Sequence, residues 1–108
     1  MAIRLVHLYT GDDGEPHFTE RAVARKPAGA TTVSFEESAA GSSLPWHNAP
    51  VRQYVITLSG TLEFETRIHE RFTIEPGDVL LAEDTTGGGH RWRLVDDQPW
   101  RRVYVELA

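Results

Sequence analysis

The sequence contains the stretch Gly41-Ser-Ser-Leu-Pro-Trp-His47-Asn-Ala49-Pro-Val-Arg-Gln53-Tyr-Val-Ile-Thr-Leu-Ser-Gly60, in which the spacing of a few residues is informative. Five residues separate Gly41 from His47, one separates His47 from Ala49, three separate Ala49 from Gln53, and six separate Gln53 from Gly60. Successive side chains of a strand point to opposite faces, so the odd-numbered positions from 47 to 57 are predicted to share one face. His47 and Gln53 are therefore expected to look into one cavity.

The segment after Gly60 has the alternation of a half-buried strand. In Thr61-Leu-Glu-Phe-Glu-Thr66, Leu62 and Phe64 lie on one predicted face, and Glu63 and Glu65 lie on the other. This alternation predicts a strand with its apolar side toward the core.

A second informative stretch reads Phe72-Thr-Ile-Glu-Pro76-Gly77-Asp78-Val-Leu-Leu-Ala-Glu-Asp-Thr-Thr-Gly87-Gly-Gly-His90-Arg-Trp92-Arg-Leu94. In its Pro-Gly-Asp segment, proline presets one backbone dihedral and glycine accepts a positive φ, which predicts a turn that leads into a strand. Trp92 lies two residues past His90 and is expected on the same face. There it either stacks on a planar ligand or fills the core as an ordinary aromatic residue.

The two stretches resemble the two signature motifs of the cupin family. The first family motif reads Gly, five residues, His, one, His, three or four, Glu, six, Gly. In this chain Ala49 stands at the second His and Gln53 at the Glu. The second motif has a Pro-Gly-Asp turn, a strand, a Pro-x-Gly loop and a His; here Gly87 and His90 match its end, and the loop lacks its Pro. The matched segments run from Gly41 to Leu94, about half of the chain.

The resemblance implies an all-β fold, a single cupin barrel of the jelly-roll type over residues 1–108. Many short apolar runs separated by turn clusters are typical of such a sandwich or barrel, and this length suffices for one core. The strand after His47 and the strand that contains His90 are expected to be neighbours. One short helix is predicted near residues 19–25, ended by Lys26-Pro27.

The resemblance also implies a site. In cupins the two His and the Glu bind a metal, so the corresponding metal ligands here are His47, Gln53 and His90. One nitrogen ligand and one negative charge are missing, and a divalent transition metal, of unknown identity, would be held more weakly. Asp84 or Glu83 could supply a carboxylate, although both also suit ordinary turn residues.

Strand parity predicts the rest of the cavity and an outer face. The cavity wall is expected to contain Val55, Thr57, Leu62, Phe64 and Trp92. Tyr54, Ile56 and Leu58 are expected to point outward with Trp46 beside them. Such an apolar face needs cover from the N-terminal segment or from a second chain, and small cupins are commonly dimers, so we expect a homodimer.

Composition argues against several classes of function. The chain has no cysteine, so disulfides, thiolate metal sites and a cysteine nucleophile are unavailable. A formal net charge of −5 argues against nucleic-acid binding, and Arg91, Arg93, Arg101 and Arg102 are interpreted as a solvated sheet face. The N-terminal residues lack the apolar core of a signal peptide and no apolar run approaches a membrane span, so a cytoplasmic location without membrane partners is predicted.

Three functions remain open for the expected small-molecule pocket. The first is a metal-dependent isomerase, lyase or dioxygenase that uses the weakened His/Gln/His site. The second is a metal-free pocket in which His47 or His90 acts as general acid or base, a role that suits imidazole near neutral pH. The third is a non-catalytic binding or sensing module, because a fold by itself does not imply a function.

Overall fold

The computed structural model describes residues 2–108, and Met1, the first residue of the expected domain, lies outside them. The described chain contains β-strands, turns and bends and no helix. The ten strands are β1 (Arg4–Thr10), β2 (Pro16–Ala22), β3 (Ala30–Ser38), β4 (Ser43–His47), β5 (Gln53–Ser59), β6 (Leu62–Thr66), β7 (Arg71–Ile74), β8 (Val79–Glu83), β9 (His90–Leu94) and β10 (Trp100–Leu107). The all-β prediction is confirmed.

The strands form two sheets with one apolar core between them. The six-stranded sheet has the order β2-β1-β8-β5-β10-β3, and the four-stranded sheet has the order β4-β9-β6-β7. The core takes side chains from both sheets, among them Val6, Leu8, Val55, Phe64 and Ile74. Two packed sheets with mostly antiparallel strands give the jelly-roll architecture that the sequence predicts.

The predicted helix near residues 19–25 is wrong. Residues Pro16–Ala22 form β2, which pairs in antiparallel register with all of β1, from Arg4 opposite Ala22 to Thr10 opposite Pro16. Seven cross-strand partners outweigh the local helix propensity, which is a weak preference that tertiary pairing overrides.

The prediction that the strand after His47 neighbours the strand of His90 is also wrong. The strand next to β9 is β4, which ends at His47, and His47 lies directly opposite His90. After His47 the chain bends and turns at residues 48–52, past Pro50, and enters the other sheet as β5. Pro45 fits within β4 because β4 is an edge strand, where a missing N–H costs no ladder hydrogen bond.

No helix of residues 2–108 is long and apolar enough to cross a membrane.

Candidate functional site

An open cavity of about 440 Å³ lies between the two sheets. Among the residues that line it are six of those predicted for the site: His47, Gln53, Val55, Phe64, His90 and Trp92. Most of the wall is apolar or aromatic, which is the usual composition of small-molecule pockets of this size. The corner at residues 48–52 brings His47 of one sheet and Gln53 of the other to the same cavity, although they do not share a strand.

Thr57 and Leu62 lie behind the cavity wall. Thr57 is fully buried, and its Oγ1 accepts a hydrogen bond of 3.1 Å from Nε1 of Trp100. Trp92 is both a core residue and a wall residue, and its ring meets the ring of Trp100 edge to face at 4.6 Å. Trp92 is thus a core aromatic residue whose ring also forms part of the cavity wall, and its stacking on a ligand stays a prediction.

Two imidazoles meet at the cavity wall. The ring centroids of His47 and His90 are 4.3 Å apart, with an interplanar angle of 62°. The close approach of the two strands requires Gly89, since a Cβ there would clash with the carbonyl of His47, and its φ of 80° suits glycine. The register of β4 and β9 thus holds the two rings side by side.

The second nitrogen of each ring fixes its orientation. Nδ1 of His47 donates to the carbonyl oxygen of Pro45 at 2.7 Å, and Nδ1 of His90 donates to Oδ2 of Asp84 at 2.5 Å. Both acceptors lack a hydrogen, so each neutral ring carries its proton on Nδ1 and keeps the lone pair on Nε2. Burial lowers the pKa of His47 and outweighs the hydrogen bond to Pro45, which acts in the opposite direction, so the neutral ring is favoured.

Asp84 acts on the site through His90. Its side chain is fully buried, its Oδ1 has no hydrogen-bond partner within residues 2–108, and its main-chain carbonyl accepts from the amide of Ala49 at 3.2 Å. Glu83 lies elsewhere, in an ion pair with Arg52 and a hydrogen bond with the ring of His7. Of the two carboxylates considered from the sequence, Asp84 is the one that contacts a site residue, as a partner of the ring.

The donor set can be compared with what a divalent metal requires. Imidazole ligands in metalloproteins usually donate their second N–H to a carboxylate or a backbone carbonyl, and His47 and His90 both have this arrangement. The carbonyl oxygen of Gln53 is a further, weaker donor on the same cavity. Within residues 2–108 there is no group of three or more His, Cys, Asp or Glu side chains placed to hold a metal. The cavity therefore offers two imidazoles and one amide oxygen, which is fewer strong ligands than the three or four that protein metal sites usually have.

Arg102 is a cavity residue that was not predicted from the sequence. Arg102 is 5% exposed and lines the cavity, with its guanidinium 4.0 Å above the ring of Trp100. Its assignment to a solvated sheet face is wrong, whereas Arg91, Arg93 and Arg101 are exposed as expected. The alternation along β10 could have indicated its position, since Trp100, Arg102 and Tyr104 are two residues apart and all line the cavity.

Trp46 lies away from the outer face of β5. It belongs to β4 in the other sheet, and the guanidinium carbons of Arg67 and Arg91 lie 4.7 Å and 4.6 Å from its ring centroid. The expectation that Trp46 stands beside Tyr54 is therefore wrong, because the corner after His47 separates the two strands.

No protein-family model and no curated protein matches this sequence. Solved structures do match the fold. A Cupin 2 conserved barrel domain protein from Salinispora arenicola superposes with a TM-score of 0.56 at 20% identity, covering 70% of this chain and 61% of that one. A cupin domain from Bordetella pertussis gives a TM-score of 0.54 at 20% identity, covering 79% and 99% of the two chains. This chain has the cupin fold.

A third similar structure is the Cnp3 cupin domain of Schizosaccharomyces pombe, with a TM-score of 0.54 at 14% identity over 99% of this chain and 83% of that one. At these identities the cupin likeness concerns the fold alone. The chain spans less than two thirds of the Salinispora protein.

Proposed function

We propose that this cupin-fold protein binds a small molecule in the cavity between its sheets, in contact with the Nε2 atoms of His47 and His90. The observation that carries the proposal is the pair of fixed imidazoles on an otherwise mostly apolar wall. A concave apolar site with a few convergent polar groups is the usual form of a ligand pocket. The volume of about 440 Å³ suits a molecule of one or two rings.

The hydrogen bond between His90 and Asp84 supports proton transfer as the chemistry. With Nδ1–H held by the carboxylate, Nε2 of His90 is the atom that can accept a proton from a bound molecule. The imidazolium formed would be stabilised by the buried negative charge of Asp84 at 2.5 Å. The ring can then return the proton to another atom of the ligand, which is the step an isomerase or a lyase requires.

A weakly held divalent metal is compatible with the same residues. His47 and His90 would be its main ligands and Gln53 a weak third, and the metal would supply a Lewis acid for an isomerase, lyase or dioxygenase reaction. The replacements at Ala49 and Gln53 remove one ligand and one charge from the family pattern. The alternatives are a metal-free pocket that relies on the His90–Asp84 pair and a pocket that only binds.

Metal titration of three proteins tests the choice. Isothermal titration with manganese, iron, nickel and zinc is carried out on the parent, on the double variant Ala49→His/Gln53→Glu, and on His90→Gln. We expect the double variant to bind metal more than tenfold more tightly, about 1.4 kcal/mol or more, because it restores an imidazole and a carboxylate. His90→Gln should bind metal more weakly than the parent, because it removes one of the two imidazoles.

Two results would contradict this part of the proposal. If the double variant binds metal no better than the parent, Ala49 and Gln53 do not occupy ligand positions and the metal-free pocket is favoured. If small molecules fail to change the fluorescence of the cavity tryptophans, Trp92 and Trp100, the pocket itself is contradicted.

We also propose that a second copy of the chain covers the outer face of the six-stranded sheet. Three large apolar side chains on that face are exposed, Val33 and Phe35 of β3 and Leu58 of β5. Leu5 and Leu81, on the same face toward β1 and β8, are buried. These exposed side chains lie on the half of the sheet that β5, β10 and β3 form. The cores of homodimer interfaces are more apolar than the rest of a protein surface, which fits this patch.

A further inference from the structure

A second polar group lines the cavity on strands β3 and β10. Its members are Ser34 and Glu36 of β3 and Arg102, Tyr104 and Glu106 of β10. Among them Arg102 is the buried cation, and its guanidinium forms part of the cavity wall. A buried charge is costly unless it is paired and hydrogen-bonded, so the partners of this group indicate what it does.

Neutral groups hold Arg102 in place. Nη1 donates to Oγ of Ser38 at 2.8 Å and to the carbonyl oxygen of Trp100 at 3.1 Å, and Nε donates to the hydroxyl of Tyr104 at 3.1 Å. The guanidinium also stacks on the ring of Trp100. These contacts fix the position of the group, but none of them neutralises its charge.

The charge partner of Arg102 is weakly held. Nη2 donates to Oε2 of Glu36 at 3.3 Å, a long bond, and the side chain of Glu36 is 60% exposed. Of the residues from 2 to 108, Glu36 is the one acidic residue that forms an ion pair with Arg102. An exposed carboxylate is screened by water and loses little when it leaves such a pair. The guanidinium is therefore rigid and buried, while its counterion is free to turn into solvent.

We propose that Arg102 is the anion-binding residue of the cavity and that the carboxylate of a small, flat ligand replaces Glu36 at Nη2. This inference rests on the proposed function, because it names the ligand class of the same pocket. A fixed guanidinium loses little conformational entropy when it binds, and a ligand carboxylate shielded from water interacts with it more strongly than Glu36 does. The rings of Trp92, Trp100 and Phe64 offer faces and edges for the flat part of the ligand.

A purely structural ion pair is the competing interpretation. In that case Arg102 and Glu36 would only fasten β3, an edge strand, to β10. The two interpretations predict opposite effects for the loss of Glu36. If the pair only fastens the two strands, removing Glu36 should lower the stability of the protein and weaken ligand binding. If Glu36 competes with the ligand for Arg102, removing it should make the protein bind the ligand more tightly.

The test compares benzoate with its neutral isostere benzamide, using the fluorescence of Trp92 and Trp100 as the readout. We expect the parent to bind benzoate at least tenfold more tightly than benzamide. Glu36→Gln should tighten benzoate severalfold and leave benzamide unchanged. Arg102→Lys should weaken benzoate, since an ammonium lacks the planar fork, and Arg102→Gln should abolish the preference.

A matched control lies next in sequence. Glu37 pairs with Arg101 on the outer face of the same two strands, with Arg101 Nε 3.1 Å from Glu37 Oε1. Glu37→Gln removes an ion pair of the same two residue types between the same two strands, with both side chains exposed outside the cavity, and should leave the affinity for benzoate unchanged.

Three outcomes would overturn the inference. If Glu36→Gln binds benzoate as the parent does or more weakly, the pair of Arg102 and Glu36 is structural. If the Arg102 variants do not fold, the result for Glu36→Gln is sufficient to choose between the two interpretations. Equal affinity of the parent for benzoate and benzamide contradicts the anion site while the proposed pocket stands. No binding of either probe to any variant contradicts both the anion site and the proposed pocket.

Discussion

Two pairs of neighbouring strands in this barrel place their polar and apolar side chains on opposite faces. On β6 and β9 the apolar side chains point inward and charged ones point outward, as in the cross-strand pair of Glu63 with Arg93. On β3 and β10 the inward side chains include Glu36 and Arg102, and the outward row pairs Phe35 with Val103. The first pair contributes to the apolar core and gives the cavity wall Phe64, His90 and Trp92. The second builds a polar cavity wall on the inside and an apolar surface on the outside, which is the arrangement expected of a ligand site backed by an interface.

The largest test of this comparison truncates one phenylalanine from each region. Phe64 is 1% exposed and stacks on Phe72 with ring centroids 5.1 Å apart, so Phe64→Ala should lower the free energy of unfolding by about 3–5 kcal/mol. Phe35 is 74% exposed, and Phe35→Ala in dilute protein should change it by no more than about 0.5 kcal/mol. Urea unfolding followed by circular dichroism measures both. Equal losses for the two variants would mean that the outer face of β3 is already covered within one chain.

The sequence predicts the β6–β9 half of the barrel well. Alternation in residues 61–66 assigns Leu62 and Phe64 to the core, and the usual rule that apolar side chains lie inside is correct there. The matched spacing likewise brings His47 and His90 to one cavity wall. Alternation works within residues 61–66 because strand parity is a local property of the backbone, whereas the meeting of His47 and His90 depends on the pairing of β4 with β9, which the family motif implies and the local pattern does not.

The β3–β10 half could not be oriented from the sequence. Alternation in residues 100–107 separates Arg102 and Tyr104 from Val103 and Val105, but it does not say which set faces inward. The usual rule would place the valines in the core, and the structure does the opposite. The corner at residues 48–52 is another long-range feature, since the strand that precedes it and the strand that follows it belong to different sheets.

The second test concerns the apolar outer surface. If a second copy covers it, the protein should sediment as a homodimer, and Phe35→Glu should raise the dissociation constant at least tenfold, because it places a charge in an apolar interface. Ile68→Glu, at an exposed apolar residue in the turn after β6, is the matched control and should leave the constant unchanged. Analytical ultracentrifugation over a range of concentrations gives both values. A parent protein that sediments as a monomer, or equal effects of the two variants, would contradict the proposed interface.

The smallest expected effect comes from the charged outer face of β6 and β9. Glu65 accepts hydrogen bonds from Nδ1 of His69 at 2.8 Å and from Nη2 of Arg91 at 2.7 Å, and these contacts lower its pKa to about 2. A carboxylate with a lowered pKa adds stability above the pKa of the unfolded chain, and that stability is lost as pH falls from about 4.5 toward 2. Glu65→Gln should therefore lower the urea midpoint at pH 7, and the difference from the parent should shrink as the solution is acidified. The difference should be modest, since the side chains of His69 and Arg91 are exposed and water screens the pairs.

Glu63→Gln, which removes a single ion pair to Arg93 on the same face, should cause a smaller change at pH 7. If the difference between Glu65→Gln and the parent stays constant from pH 7 to pH 3, the negative charge of Glu65 does not contribute to stability. The difference between the two strand pairs would then rest on packing alone.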